Sequence, residues 1–205
     1  MQILVRANAF QQKEWLESNM IPVRFTTDLQ EWLLSEADIL IDLLYDIDQP
    51  TGITNVPVIV NSMLHTCQEL PYNYIRLNGW NGFLSKPVKE IAVTAYFGEQ
   101  KLQEVMDALQ WQYAIAPDVP GFASARTIAM IINEAYFALG DNVSSKEDID
   151  TAMKLGTNYP FGPFEWASRI GLQNIYDLLL VLSKTDERYV VADALIKEVS
   201  LQRNT

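Results

Sequence analysis

The chain has 205 residues, of which 49% are apolar and 11% aromatic. That composition predicts a packed core, in one large domain or two small ones, and excludes a disordered chain. Twenty-six acidic side chains against fifteen basic ones give a formal charge of −11, which argues against a nucleic-acid partner because phosphate binding needs a basic surface.

The sequence also indicates where the protein acts. It starts MQILVRANAFQQKEW, without a cationic flank followed by a long apolar run, so we expect no signal peptide. No stretch is long and apolar enough to span a bilayer, so we expect no membrane partner. The single cysteine, Cys67, fits a reducing cytosol and is interpreted as a small, partly buried side chain. With no signal peptide and one cysteine, we expect a cytoplasmic protein. One cysteine and one histidine, His65, cannot form the usual zinc sites, so we also expect no metal.

Residues 1–117 alternate short apolar runs with amphipathic stretches. The pattern predicts helices at 10–19, 28–37 and 99–110, and strands at 2–7, 21–27, 38–45, 56–62 and in YIRLNGW, EIAVTAY and QYAIAP. Asp28 is the expected N-cap of the second helix, with Glu31 at the capping-box spacing. The third and fourth strands are apolar almost throughout, which is typical of strands buried on both faces. The alternation predicts an α/β fold with a doubly wound parallel sheet, here a shortened Rossmann-like domain.

After Pro117 the apolar residues recur at helical spacing. The pattern predicts helices at 124–140, at 144–156 with Ser144 or Ser145 as N-cap, and in LQNIYDLLLVLSKT and RYVVADALIKEVSLQ. The second half is therefore expected to be an all-α helical domain. Pro117 and Pro120 end a strand and prevent an earlier helix start, so we place the two domains at residues 1–117 and 118–205.

A βαβ start raises the question of a dinucleotide. The glycine fingerprint of that fold lets the backbone turn tightly and approach a pyrophosphate at a helix N-terminus. Its positions are occupied here by Ala7, Ala9 and Gln12, and alanine disfavours both a positive φ and a close approach. Asp28 comes one or two positions late for the acid that binds a ribose. The sequence therefore predicts no cofactor-binding residues and no tight binding of NAD.

Residues 118–172, DVPGFASARTIAMIINEAYFALGDNVSSKEDIDTAMKLGTNYPFGPFEWASRIGL, closely resemble the start of the C-terminal domain of 3-hydroxyacyl-CoA dehydrogenases. The PGF turn, the NEA triplet, the SxEDIDxAMxLG helix and the PxGPFEWxxxxGL segment follow the family's order, and the first half of the chain is similar more weakly. The resemblance implies a helical domain like the C-terminal domain of 6-phosphogluconate dehydrogenase, which forms the dimer contact in this family. The segment around Pro160, Gly162 and Pro163 is interpreted as architectural.

The apolar pattern also favours a homodimer through this helical domain. Residues 128–139 and 175–182 are apolar around more than one stripe, which suits helices buried on two sides. Ile132 and Leu179 are the positions at which an aspartate is expected to break such a dimer. The alternative is that the N-terminal domain covers the same surface within one chain.

The resemblance further implies which positions would carry the chemistry. The family uses a His–Glu pair as acid and base while hydride moves to or from NAD. Asn81 stands at the position of the histidine and Ala92 at that of the glutamate, with Glu90 two residues earlier. Met63 replaces a serine that lies near the substrate, and Ala125 replaces an asparagine that contacts it. We therefore expect no catalytic residues at the family positions.

These replacements each remove the group that the family uses. His65 falls where the family has an apolar or neutral residue and is interpreted as a surface or capped side chain. The chain also lacks the helical pair that helps to hold CoA in the family. We expect a 3-hydroxyacyl-CoA dehydrogenase-like protein that has lost catalysis and acts in binding or assembly, with an acyl-CoA or an active homologue as candidate partners. The alternatives are an active NAD-dependent oxidoreductase of 3-hydroxyacyl-CoA in fatty acid metabolism, and a small-ligand sensor that uses the old cleft.

Overall fold

The computed structural model describes residues 1–48 and 55–203. The chain divides into two compact units, Met1–Phe122 and Ala123–Thr205. In the described residues, the first unit contains a sheet with helices and the second contains helices and turns. This order agrees with the predicted fold class, a Rossmann-like sheet followed by an all-α domain. Among the helices of the described ranges, none has both the length and the apolar character needed to cross a membrane.

The two units meet a few residues later in the chain than the proline pattern predicts. The segment 118–122 belongs to the first unit. Asp118 forms an ion pair with Arg76, and the guanidinium of Arg76 lies 4.5 Å from the centroid of the Phe122 ring. These contacts hold the segment on the first unit beyond Pro117.

The first unit contains a seven-stranded sheet with the order β2-β1-β3-β4-β5-β6-β7. Every neighbouring pair is parallel except β5 and β6. Only residues 78–87 separate these two strands, too few for the crossover that a parallel pair needs. Each strand overlaps the run that predicts it, but the antiparallel β6 was not predicted. The strands are β1 (Ile3–Arg6), β2 (Arg24–Thr26), β3 (Ile39–Asp42), β4 (Val58–Asn61), β5 (Tyr74–Leu77), β6 (Val88–Val93) and β7 (Gln112–Ile115).

Helices and one 3-10 turn connect these strands. Asp28 caps α2 as predicted, because its carboxylate accepts the N–H of Glu31 at 2.9 Å. The carboxylate of Glu31 accepts the hydroxyl of Thr26 instead of turning back to Asp28, so the capping box is not completed. The helix also ends at Leu33, before the predicted end at residue 37. The predicted strand 38–45 ends early, and its last residue begins α3. The helices are α1 (Ala9–Ser18), α2 (Leu29–Leu33), α3 (Tyr45–Asp48) and α4 (Glu99–Ala108), and the 3-10 turn is Cys67–Glu69.

Both faces of the sheet are covered, as the continuous apolar runs predict. All residues of β3 and β4 are buried. Trp15 of α1 packs on the face that contains Ile41, and Trp32 of α2 packs on the face that contains Leu40. The indole N–H of Trp32 donates to the carbonyl of Ile41 at 3.1 Å. Because both tryptophans are fully buried, each fixes its helix on the sheet.

Four helices of the second unit overlap the predicted ones, whereas α7 (Pro163–Ile170) lies in the segment that was interpreted as a turn between helices and was not predicted. Ser145 is the N-cap of α6, since its hydroxyl accepts the N–H of Asp148 at 3.1 Å. The last helix begins later than predicted because residues 190–192 are extended and bound to Asn133. The amide of Asn133 donates to the carbonyl of Val190 at 2.8 Å and accepts the N–H of Ala192 at 2.9 Å. The helices are α5 (Ser124–Gly140), α6 (Lys146–Thr157), α7 (Pro163–Ile170), α8 (Leu172–Ser183) and α9 (Asp193–Arg203), with a 3-10 turn at Glu187–Tyr189.

The connection between α6 and α7 depends on a buried carboxylate. Asp150 of α6 accepts the N–H of Phe164 at 2.8 Å and that of Glu165 at 3.2 Å. It thereby satisfies first-turn donors of α7 that the helix itself cannot satisfy. Glu165 in turn accepts the N–H of Gly162 at 3.0 Å, and Pro163 occupies the first helical position. The proline- and aromatic-rich segment is thus a helix start fixed by a neighbouring helix.

Candidate functional site

The carboxyl ends of β1, β3, β4 and β5 lie at the same end of the sheet, because these strands are parallel. This end, and not an outer strand, is called the carboxyl edge. β1 lies between β2 and β3, so the chain order reverses at the β1–β3 crevice. Open α/β sheets bind ligands outside the carboxyl ends of their strands, at such a reversal. The loops at this edge are therefore the candidate site, and they carry Ala7, Met63 and Asn81.

The N-terminus of α1 is closed by side chains of its own sequence. The amide oxygen of Asn8 accepts the N–H of Gln11 at 3.0 Å, and Gln11 accepts the N–H of Asn8 at 3.1 Å. Gln12 donates from its side chain to the carbonyl of Ala7 at 2.8 Å. Ala7 is buried, and Ala9 is the first residue of the helix. The three fingerprint positions thus surround a capped helix start instead of a glycine-rich turn.

The ends of β1 and β3 are joined by a buried ion pair. Arg6 donates from Nε and one terminal nitrogen to the two carboxylate oxygens of Asp42, at 2.9 and 2.8 Å. Both side chains are at most 1% exposed. The side chain of Gln11 donates across the same crevice to the carbonyl of Leu43 at 2.8 Å. A buried pair of this kind is costly to break, by about 3–5 kcal/mol, because the remaining charge has no compensation.

Asn61 connects the ends of three strands at this edge. Its amide nitrogen donates to the carbonyl of Leu43 at 3.2 Å, and its oxygen accepts the N–H of Gly79 at 3.0 Å. A Cβ atom on Gly79 would lie 2.9 Å from the Cβ of Asn61. The glycine is therefore needed here for close approach to Asn61.

Two charged side chains fix the loop 78–86, which carries Asn81. Glu14 of α1 accepts the N–H of Gly82 at 2.7 Å and the N–H of Ser85 at 2.8 Å. Lys89 donates to the carbonyl of Lys86 at 2.7 Å and also to that of Leu84. Burial lowers the pKa of Lys89 to about 8. The loop is thus held by a carboxylate on its N–H groups and by an ammonium on its carbonyls.

Ala92 lies within a strand of the sheet, not in the loops at its carboxyl edge. It is buried within β6, opposite Arg76 of β5. Because β6 is antiparallel to β5, its carboxyl end points toward the opposite edge of the sheet. A carboxylate at this position would start from the interior of the sheet. Glu90, two residues earlier in β6, pairs with Ala114 of β7.

Met63 and His65 follow β4 and both face Asp46 of α3. One carboxylate oxygen of Asp46 accepts the N–H of Met63 at 2.6 Å. The other lies 3.7 Å from Nδ1 of His65, whose side chain is 26% exposed. The carboxylate of Asp46 beside the ring raises the pKa of His65, against the opposing effect of burial. His65 is therefore a half-buried histidine with a carboxylate beside it.

Cys67 and Arg76 contact the segment that leads out of the first unit. The backbone N–H of Cys67 donates to Asp118 at 2.9 Å. Arg76 donates to the carbonyl of Ser62 at 3.0 Å and pairs with Asp118. Burial raises the pKa of the Cys67 thiol to about 12, so it is protonated and unreactive near neutral pH.

Ala125 belongs to the second unit and is separate from these loops in the chain. It is the second residue of α5 and is fully buried. Its neighbour Arg126 places its guanidinium 5.8 Å from the centroid of the Tyr189 ring, within the same unit. The position therefore offers a buried methyl group and no polar atom.

Several residues that build this edge were not predicted. Glu14 and Asp46 bind loops that lie far away in the sequence, so no local pattern points to them. Lys89 binds carbonyls only three and five residues before it, at Lys86 and Leu84, and its burial is what the sequence does not show. Asn8 could have been found, because Asn-x-x-Gln at 8–11 has the capping-box spacing that was used for Asp28.

Comparison with known proteins identifies the second unit. Residues 121–205 match the family model of the 3-hydroxyacyl-CoA dehydrogenase C-terminal domain. The chain is 53% identical over 74 residues to the 3-hydroxyadipyl-CoA dehydrogenase of Escherichia coli (strain K12), a match that covers 35% of this chain and 16% of the relative. The chain is a 3-hydroxyacyl-CoA dehydrogenase-like protein. The family resemblance of residues 118–172 is thereby confirmed.

The likeness of this 3-hydroxyacyl-CoA dehydrogenase-like protein extends into the sheet. It is 27% identical over 199 residues to the probable 3-hydroxybutyryl-CoA dehydrogenase of Deinococcus radiodurans, covering 86% of this chain and 70% of the relative. The crystal structure of (S)-3-hydroxybutyryl-CoA dehydrogenase from Ralstonia eutropha matches with a TM-score of 0.66 and 24% identity, over 88% of this chain and 70% of that one. The predicted fold is therefore confirmed, while the short E. coli match identifies a shared domain.

The edge of this 3-hydroxyacyl-CoA dehydrogenase-like chain offers limited chemistry. His65 with Asp46 can hold and release a proton near neutral pH. Lys89 is buried and donates to two carbonyls, so it is committed to the loop. Within residues 1–48 and 55–203, no group of three or more His, Cys, Asp and Glu side chains could hold a metal ion.

Proposed function

We propose that this 3-hydroxyacyl-CoA dehydrogenase-like protein does not oxidise 3-hydroxyacyl-CoA and acts in binding or assembly. The start of α1 carries the proposal. A pyrophosphate needs backbone N–H groups that point at it and glycines that let it approach. Here Asn8 already accepts the N–H of Gln11, and Ala7 and Ala9 carry Cβ atoms. These residues do not fit a dinucleotide, so we infer that NAD is not a cofactor of this chain.

The acid and base positions support the same proposal. The amide of Asn81 cannot act as a general acid or base near pH 7, and the side chain of Ala92 has no polar group. The loop that carries Asn81 is held by Glu14 and Lys89 through its backbone groups. An amide can hydrogen-bond a carbonyl or hydroxyl group, but it cannot act on that group as an acid or base near pH 7. An acyl-CoA thus remains a candidate ligand without being a substrate.

The helical unit supports a role in assembly. Phe137 of α5, Leu180 of α8 and Ile196 of α9 are 39%, 39% and 36% exposed, respectively. We infer that these side chains belong to one apolar surface that a protein partner covers. We propose a second copy of this chain as that partner, and an active homologue as the other candidate.

Two alternative functions are an active oxidoreductase and a small-ligand sensor. The relative from Deinococcus radiodurans covers 86% of the chain, which favours an active oxidoreductase that takes NAD as its cofactor. In that case His65, backed by Asp46, is the side chain in the described residues that could replace the missing base. A small-ligand sensor would use the β1–β3 crevice without turnover.

Two measurements on the purified chain separate these functions. Titration of NADH, followed by its fluorescence, should give no binding tighter than a Kd of about 1 mM, which corresponds to about 4 kcal/mol. Mixing NADH with acetoacetyl-CoA should give no loss of absorbance at 340 nm, with a known 3-hydroxybutyryl-CoA dehydrogenase as positive control. Micromolar NADH binding together with turnover would establish the oxidoreductase. A thermal shift with acetoacetyl-CoA alone, without turnover, would establish binding.

A further inference from the structure

The segment 62–67 supports the residues that lead out of the first unit. The carbonyl of Met63 accepts the N–H of Gly121 at 2.7 Å. The N–H of Cys67 donates to Asp118 at 2.9 Å, and the carbonyl of Ser62 accepts Arg76, which pairs with Asp118. The segment 118–122 therefore rests on the segment 62–67 through backbone groups and one ion pair.

The segment 62–67 is fastened in turn to α3. Asp46 accepts the N–H of Met63 at 2.6 Å through one carboxylate oxygen. Its other oxygen lies 3.7 Å from Nδ1 of His65. Both of these atoms are buried and have no hydrogen-bond partner among the described residues. Met63 thus connects Asp46, on its N–H side, to Gly121, on its carbonyl side.

The charges around His65 identify Asp46 as its partner. Asp46 comes from α3, Glu69 from the 3-10 turn, and Arg76 from β5. Glu69 already accepts the N–H of Thr66 at 2.7 Å and its hydroxyl at 2.9 Å. Arg76 is committed to Asp118 and to the carbonyl of Ser62. The carboxylate oxygen that faces His65 without another partner is therefore that of Asp46.

We propose that His65 and Asp46 form a pH-dependent latch that fastens the segment 62–67 to α3 and, through Met63 and Gly121, stabilises the segment 118–122. When His65 is protonated, it forms an ion pair with Asp46, and the latch is closed. When His65 is neutral, only a weaker contact remains, and the two segments open more often. The proposal concerns a conformational change and does not depend on whether the chain binds NAD.

The direction of the pH effect follows from proton linkage. Asp46 raises the pKa of His65 in the folded chain above its ordinary value of about 6.5. The stabilisation is therefore complete below about pH 6.5 and is lost as the pH rises through the folded-state pKa. The latch should accordingly close on acidification from neutral pH.

The test uses the full chain labelled with 15N, because His65 is its only histidine and gives one set of imidazole signals. We expect a His65 pKa above 6.5 in the natural chain and a lower one in Asp46→Asn. Asparagine keeps an oxygen for the N–H of Met63 but loses the charge. The matched control Glu17→Gln, an exposed acid of α1 paired with Lys13, should leave the pKa of His65 unchanged.

Amide exchange measures the latch itself. The protection factors of Met63, Cys67 and Gly121, corrected for intrinsic exchange, should fall as His65 loses its proton. The fall should reach about tenfold for each unit by which Asp46 raises the pKa of His65. Asp46→Asn should make the same protection factors independent of pH. An unchanged His65 pKa in Asp46→Asn, or protection in the natural chain that does not follow His65, would overturn the proposal.

Discussion

The carboxylate of Asp150 occupies the space that a side chain on Gly162 would need. A Cβ atom built on Gly162 would lie 2.3 Å from Oδ1 and Cγ of Asp150 and 2.4 Å from its Cβ. The same carboxylate accepts the N–H groups of Phe164 and Glu165 at the start of α7. The absence of a side chain at one residue thus permits the cap supplied by another.

Replacing Gly162 with alanine should destabilise the helical unit. Asp150 would have to move and release its two hydrogen bonds, at a cost of about 2–4 kcal/mol. Thermal unfolding followed by circular dichroism would measure the loss. Gly156→Ala is the matched control, because a Cβ there meets no atom within 4 Å and alanine favours the helix. Equal effects of the two substitutions would contradict the packing argument.

Replacing Glu14 with alanine should release the loop that carries Asn81. The N–H groups of Gly82 and Ser85 would lose a charged acceptor, which costs about 1.5–3 kcal/mol for such bonds. Amide exchange of these two residues should accelerate before global unfolding. Glu17→Ala is the control, since Glu17 is exposed and its contact with Lys13 at 3.9 Å is worth less than about 1 kcal/mol. Unchanged exchange at Gly82 would show that the loop is held by other contacts.

Restoring the family's acid and base residues should not create a dehydrogenase. In Asn81→His with Ala92→Glu, the new carboxylate starts from a buried position opposite Arg76, and the N-terminus of α1 remains capped. We expect no NADH consumption with acetoacetyl-CoA in the double variant. Circular dichroism would check that it still folds. Turnover in this variant would mean that the capped helix start does admit the cofactor.

The buried Lys89 should make stability depend on pH in the alkaline range. Burial lowers its pKa from 10.5 to about 8 in the folded chain. Between these values the unfolded chain holds the proton and the folded chain has released it, so the free energy of unfolding rises with pH. This gain is lost again as the pH falls to about 8. The rise is on the order of 3 kcal/mol at most. The difference in the free energy of unfolding between the natural chain and Lys89→Met, measured with urea from pH 7.5 to 10.5, should show this rise, because the Cys67 thiol titrates alike in both chains.

The chain should associate through its helical unit. Light scattering over a dilution series should give a mass above the 23.3 kDa of one chain at high micromolar concentration. Ile132 and Leu179, which the sequence pattern suggests replacing, are fully buried within the chain, so aspartate there would break the core. Phe137→Asp or Leu180→Asp should give a folded monomer instead.

A control separates this effect from a general change of surface. Met20 is 95% exposed in the first unit, so Met20→Asp changes the same charge without touching the helical unit. It should leave the mass of the associated species unchanged. A mass of one chain at every concentration of the natural protein would rule the association out.

The sequence determined the order of the strands and of most helices, and the likeness of the helical unit to its family. These features depend on local periodicity and on short motifs: β3 and β4 are buried because their runs are apolar throughout, and Asp28 and Ser145 cap helices because their side chains reach donors three residues away. The helices α3 and α7 were not predicted. The sequence also located the fingerprint positions, since Ala7, Ala9 and Gln12 follow β1 directly.

Only the tertiary structure decided what occupies the carboxyl edge and how its loops are held. Glu14 reaches a loop 68 residues away, and Asp150 caps a helix 14 residues further along. Because β6 is antiparallel to β5, Ala92 lies within the sheet opposite Arg76, which the sequence did not predict. His65 became a partner of Asp46 because β4 runs beside β3, which brings the loops after both strands together. Such contacts depend on the pairing of strands that are distant in the sequence, and local sequence patterns do not predict that pairing.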